Sequence, residues 1–171
     1  RWQQLDTLEI LRGWCVNRVR AIGKLAAWLY ASFNMALPYH PRPGTIVVCD
    51  YAKGGFRPPE MDKRRLAVTV SPKLKRRNNL VTVVPLSATP PSPVEAWHVA
   101  LELAAPDPWG DVPRWAKCDM VATVGYDRLD LPHFRHHVTG SRQYWQHELS
   151  AELVAELRRA VASALGIVIA G

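Results

Sequence analysis

With 171 residues, 48% of them apolar, the chain is long enough to bury one proper core and too apolar to be disordered. Its net charge of +7 favours a phosphate-bearing or acidic partner, and three cysteines without a short pairing favour a reducing, cytoplasmic compartment over a disulfide framework. No apolar run approaches the roughly 20 residues of a membrane span, and neither repeats nor low-complexity tracts interrupt the chain.

Taken in order, residues 5–33 place Leu5, Leu8, Leu11, Cys15, Val19, Ile22, Leu25, Ala26 and Leu29 at mostly three- and four-residue spacing, the period of a helix. The chain does not begin with methionine, and the first internal one is Met35. Three readings of residues 1–34 stay open: a helix packed on the body or on a second copy, a basic helix on an anionic membrane surface, and upstream sequence ahead of a start at Met35. Gly13, Gly23 and Asn17 weaken the membrane reading, and Asp6 and Glu9 weaken a mitochondrial-type presequence. The domain division expected is therefore 1–34 as a helical extension or upstream segment and 35–171 as the body.

The body opens with a proline-rich lead-in at 36–43 that cannot be helix. Gly44 then introduces a β-branched strand at 45–51, expected to be buried on both faces. A glycine- and proline-rich loop fills 52–62. Strands are predicted at 65–71, 80–87, 96–103 and 115–124, with Pro85 implying an edge or a bulge. Residues 127–131 read as a short turn or a single helical turn, and 133–144 as a basic loop. Residues 150–165 read as an amphipathic helix with Ser150 as N-cap, Gly166 as its stop, and a stripe of Leu153, Leu157, Val161 and Leu165, joined by Val154 and Ala164. Five short strands with turn-rich joints and one terminal helix predict a mainly β, α+β fold: a small antiparallel barrel closed by that helix.

The most charged stretch is 60–87. Seven of the fifteen residues from Lys63 to Arg77 are cationic, and they flank and connect two apolar strands. That is a β-hairpin with a cationic connection, suited to an anionic partner. Phosphate-binding glycine loops, zinc-ligand spacings and a nucleophile elbow are all absent from the sequence. His133, His136 and His137 read as a solvated basic loop, Cys118 as a core thiol, and no metal or cofactor is expected. What remains is polar residues at strand borders: Glu60, Arg65, Ser87, Lys117 and Asp119. Strand ends converge on one rim of a small barrel, so such a set can hold a phosphodiester and move protons.

Four segments, in order and spacing, resemble the PemK/MazF toxins of toxin–antitoxin modules. PRPGTIVVCDY is similar to the family's P-x-x-G-[DE]-[IV] strand. Residues 60–72 resemble its E-x4-R-P-x-V-V-x-S-P block, and TVVPLS resembles V-V-P-[VLC]-T-[ST]. KCDMVATVGYDRL resembles R-C-D-Q-x-R-T-[IV]-x-x-x-R-L. The resemblance covers about three-quarters of the chain. It implies an SH3-like barrel of the CcdB/PemK/MazF type, a homodimer, a cognate antitoxin with an acidic segment, and metal-independent cleavage of single-stranded RNA. The implied chemistry is attack of a 2′-hydroxyl on the adjacent phosphate, giving 2′,3′-cyclic phosphate and 5′-hydroxyl ends. By motif, Arg65 stands for the phosphate-contacting arginine, Ser87 for the site threonine and Asp119 for the acid/base aspartate. Lys117 stands where an arginine is usual, and Glu60 for the loop acid. Arg64, Lys73, Arg76 and Arg77 are the further expected substrate contacts. Leu66 replaces the proline after the arginine, and Met120 and Ala122 replace a glutamine and an arginine. Two other readings remain: a basic SH3-like module that binds nucleic acid or protein without catalysis, and a CcdB-like toxin that binds gyrase. The C-terminal IVIAG offers nothing like the latter's apolar anchor.

Overall fold

The computed structural model describes residues 37–168, so the predicted helical extension lies outside the described residues. Nine strands and one α-helix follow in order: β1 (Ile46–Asp50), β2 (Arg64–Thr69), β3 (Leu80–Ser87), β4 (His98–Leu101), β5 (Arg114–Lys117), β6 (Ala122–Gly125), β7 (Leu129–Asp130), β8 (His133–Arg135), β9 (Arg142–Tyr144) and α1 (Ala151–Ala164). Seven strands make one antiparallel sheet in the order β4-β5-β3-β2-β1-β7, with β6 also paired to β3. No ladder joins β4 to β7 among the described residues.

β1 is the predicted doubly buried strand, and alternation sends its side chains to two different cores. Ile46 and Val48 join the larger core, with Leu66, Val68, Val84, Leu86, Val99, Leu101, Ala116 and the helix residues Val154, Leu157 and Ala160. Val47 and Cys49 join a second core on the other face, with Tyr51, Ala67, Val81, Val83, Val124 and Leu129. The helix therefore covers one face of the sheet only.

Gly44 is the hinge between sheet and helix. Its φ is +93°, and a Cβ there would meet Val154 Cγ2 at 2.9 Å and the Leu149 carbonyl at 3.0 Å. Its N–H donates to Thr69 O at 2.7 Å and its carbonyl accepts from Leu149 N at 3.0 Å. Only glycine allows this backbone and this approach together. At the helix start, Ser150 accepts from Leu153 N as predicted. At its end, Gly166 N–H reaches Ser163 O and Ile167 N–H reaches Ala162 O, a Schellman stop. Of the predicted stripe, Val154 and Leu157 are buried, Leu153 and Val161 pack at its edge, and Leu165 is exposed, while Ala160 is a buried residue that the prediction did not include.

Three further expectations are corrected. The predicted strand 115–124 is two strands broken by a 3₁₀ turn at Cys118–Met120, because β5 follows the end of β3 and β6 follows its start. Pro85 lies on neither an edge nor a bulge but in a central strand. Val70 N–H bonds to Thr82 O, so even-numbered residues of β3 face β2 and Pro85 faces the gap between β5 and β6, where no donor is needed. The region 127–131 does begin in a 3₁₀ turn, Tyr126–Arg128, but then runs into β7, which pairs with β1, and the basic loop 133–144 holds the β8–β9 hairpin. These strands are two and three residues long, too short for alternation to show.

Candidate nucleic-acid interface

Strand pairing decides which predicted residues meet. Arg65 pairs with Cys49, Ala67 with Pro85, and Ser87 with Trp115, which in turn pairs with Ala100. The β2–β3 ladder ends at Ala67–Pro85, and Arg65 and Ser87 each follow it by two residues, so the register extended beyond the ladder would set them opposite each other. A row of Arg65, Ser87, Trp115 and Ala100 thus crosses four strands, spanning roughly 14 Å at sheet spacing. It lies on the face opposite the helix, because these residues alternate with Leu66, Leu86, Ala116, Val99 and Leu101 of the larger core. Lys117 and its cross-strand partner His98 share that face, two residues further along.

Ser87 is buried, and its Oγ accepts from Thr89 N–H at 3.1 Å. With that acceptor site used, the hydroxyl hydrogen is free to be donated. Arg65 is half-buried at the start of β2, and its Nε is buried with no hydrogen-bond partner among the described residues. On the neighbouring strand end, two residues beyond its partner Cys49, Tyr51 is fully buried, and its hydroxyl likewise has no partner among the described residues. Burial raises the Tyr51 phenol well above its ordinary range, and the same cause pushes the Cys49 thiol up to about 12. Arg65 therefore stands as a cation on an un-ionised floor. Cys118, fully buried in the larger core, is also pushed up to about 12 by burial, which fits a packing thiol and not a nucleophile.

Asp119 lies in the 3₁₀ turn after β5, two residues beyond Lys117. It is exposed, and its carboxylate makes no hydrogen bond or ion pair among the described residues. Glu60 is exposed in the 52–62 loop, where its Oε2 accepts from Arg57 N–H at 3.1 Å and closes a turn. Arg64 is not brought to the row. It alternates with Arg65, faces the other side, and pairs with Asp130 at 3.6 Å.

Lys73, Arg76 and Arg77 sit in the β2–β3 connection, all exposed. Ser71 is six residues from Arg65 along the strand, roughly 20 Å at strand rise. The single cationic stretch of the sequence is thus split between opposite ends of one hairpin. The far end carries its own shallow cavity of about 350 Å³, lined by Ser71, Leu74, Arg77, Leu80, Val81, Thr82 and Thr123. Two residues not singled out from the sequence, Trp115 and His98, enter the row's surroundings. Nothing distinguishes Trp115 from the other six tryptophans until strand register is known.

Among the described residues, no group of three or more His, Cys, Asp or Glu is placed to hold a metal ion, and no helix is long and apolar enough to cross a membrane. Comparison with known proteins adds the family. The model of the PemK-like, MazF-like toxins of type II toxin–antitoxin systems matches residues 42–165. The Escherichia coli (strain K12) protein YifN is 29% identical over 154 residues, spanning 78% of this chain and 97% of its own. An endoribonuclease from a mycobacterial species, solved with its cognate antitoxin, is 20% identical with a TM-score of 0.51, covering 77% of this chain and all of that one. MazF from Deinococcus radiodurans is 19% identical with a TM-score of 0.51, covering 75% of this chain and 99% of its own. At these identities the structural likeness is one of fold.

Proposed function

This chain belongs to the PemK-like, MazF-like toxins of type II toxin–antitoxin systems, and we propose that it is a metal-independent endoribonuclease whose centre is the Arg65–Ser87 pair. The observation that supports the reading is the β2–β3 ladder, which ends at Ala67–Pro85 and leaves the family's arginine and hydroxyl positions each two residues beyond that pair, on the face opposite the helix. The structural relative from a mycobacterial species is itself an endoribonuclease.

The chemistry needs three things. A cation must stabilise the charge that builds on the phosphoryl oxygens, and Arg65 supplies it. A donor must hold those oxygens in line, and the free hydrogen of Ser87 does so. A base must take the proton from the 2′-hydroxyl as its oxygen attacks phosphorus, and Asp119 is the carboxylate available. The bond from phosphorus to the 5′-oxygen then breaks, that oxygen takes up a proton, and 2′,3′-cyclic phosphate and 5′-hydroxyl ends result. Lys117 adds charge along the groove, though as a point charge without an arginine's bidentate fork. Glu60, held in its own loop, borders the entrance, and Lys73, Arg76 and Arg77 extend the anion-binding surface away from the centre. The same reading takes in a homodimer working in the cytoplasm and closed by a cognate antitoxin whose acidic segment crosses this basic surface.

The test is incubation of the full chain with long mixed-sequence RNA in EDTA, beside Arg65→Ala. Cleavage to 5′-hydroxyl ends by the parent, reduced on the order of 10²–10³-fold in the variant, is the expected result. Intact RNA from folded parent protein across several sequences would overturn it and leave a binding module.

A further inference from the structure

Trp115 is the residue of the row that the proposed chemistry does not use. It is half-buried, yet it packs against neither core, and it makes no ring–ring or cation–ring contact among the described residues. Its directly paired neighbours across the sheet on both sides, Ser87 and Ala100, are small, so neither paired position carries a bulky side chain against the indole. Ser87 stands directly opposite it at the separation of a cross-strand pair, about 5 Å between Cβ atoms. Lys117 lies two residues along on the same face, and Arg65 lies one strand beyond Ser87. A partly exposed apolar ring that joins neither core, beside a hydroxyl and two cations, suits one kind of ligand: a chain of anionic phosphates bearing flat apolar rings.

We propose that the Trp115 indole is a stacking platform for an unpaired RNA base next to the phosphate held by Arg65 and Ser87. The inference rests on the ribonuclease reading of that pair and adds a positioning residue to it. Spacing supports it. The row sets ring and phosphate-binding groups on adjacent strands, so a nucleotide whose phosphate lies over Ser87 can lay its base on Trp115. A paired base keeps its faces within the helical stack, so the platform selects single strands. A purine covers more of the indole than a pyrimidine and gains more from stacking.

Two readouts test this on the full chain. The first is steady-state cleavage of a single-stranded RNA in EDTA by the parent, Trp115→Ala and Trp115→Phe, with folding checked by thermal melting. Loss of one base–aromatic stack is expected to raise KM on the order of tenfold in the alanine variant, with the smaller change in kcat, and phenylalanine is expected to restore most of the affinity. The second is quenching of tryptophan fluorescence by a fully 2′-O-methylated RNA, which binds but lacks the attacking hydroxyl. Quenching is expected in the parent and sharply diminished in Trp115→Phe at saturating RNA. An unchanged KM in folded Trp115→Ala would overturn the inference and leave the ribonuclease reading standing. So would undiminished quenching in Trp115→Phe, which decides the matter if the alanine variant does not fold. A parent that neither cuts nor binds RNA overturns both.

Discussion

The two ends of the β2–β3 hairpin carry similar charge and are built for different work. At one end Arg65 and Ser87 project from paired strands, over buried Cys49 and Tyr51, with their backbone and neighbours fixed by the core. At the other end Lys73, Lys75, Arg76 and Arg77 stand exposed on a connection with no core beneath it. A catalytic group must be held within a fraction of an ångström of its target, whereas a group that only attracts phosphate gains little from being held. Charge alone does not make a site, and the rigidity under the charge separates the two ends.

The largest expected effect breaks the comparison at its rigid end. Arg65→Ala removes the cation that the proposed chemistry uses, and its loss is expected in kcat with melting temperature little changed. Replacing Lys73, Arg76 and Arg77 together by glutamine acts on association instead. For single-stranded RNA each lost phosphate contact lowers the slope of log K against log salt by about 0.7, so the slope should fall by up to about 2, with kcat kept. Binding titrations at several salt concentrations, beside single-turnover cleavage, distinguish the two ends. If the triple variant lost kcat as Arg65→Ala does, the division would be wrong.

How far this was legible in the sequence follows from the length of each signal. The doubly buried run of β1, the hairpin strands, and the Ser150 and Gly166 caps of α1 are each marked by several consecutive residues, and all are present. The break in β5–β6 was not legible, because residues 115–124 form one unbroken apolar-rich run. What divides it is a change of partner along β3, a tertiary fact. The site was half-legible for the same reason. Motif order picked out Arg65 and Ser87, which lie just beyond the end of the β2–β3 ladder on the same face, but the motif could not reveal that Arg64 points away or that the connection's cations lie at the far end. Trp115 needed register entirely.

Alkaline pH sharpens the difference between rigid floor and loose connection. Cys49 and Cys118 rise from 9.0 to about 12 in the fold, and burial is the main cause. A folded-state value above the unfolded one means that the stabilising contribution is complete below about pH 9 and is lost as pH climbs towards 12. Across that window each thiol lowers unfolding free energy by about 1.4 kcal/mol per pH unit. Urea unfolding at stepped pH should therefore show a slope reduced by about that amount in Cys118→Ala. The alanine also leaves a cavity, but that cost is constant with pH and does not enter the slope. Equal slopes in parent and variant would mean that the thiol is not held in its neutral form.

The smallest effect expected is at the loose end, and its sign carries the information. Arg76 has φ +63°, a left-handed backbone that costs an ordinary residue about 1 kcal/mol and glycine almost nothing. Its side chain makes no hydrogen bond or ion pair among the described residues, and it is exposed, so truncation sacrifices no packing. Glycine also adds entropy to the unfolded chain, which offsets part of the gain. Arg76→Gly should then leave the melting temperature equal or raise it by up to a few degrees, while reducing the salt slope of RNA binding by up to about 0.7. A residue that weakens RNA binding when removed, and frees the backbone of strain, is retained for its charge. A clear loss of stability would instead show that the connection is braced by its own side chains, and the contrast between the hairpin's two ends would narrow to one of position.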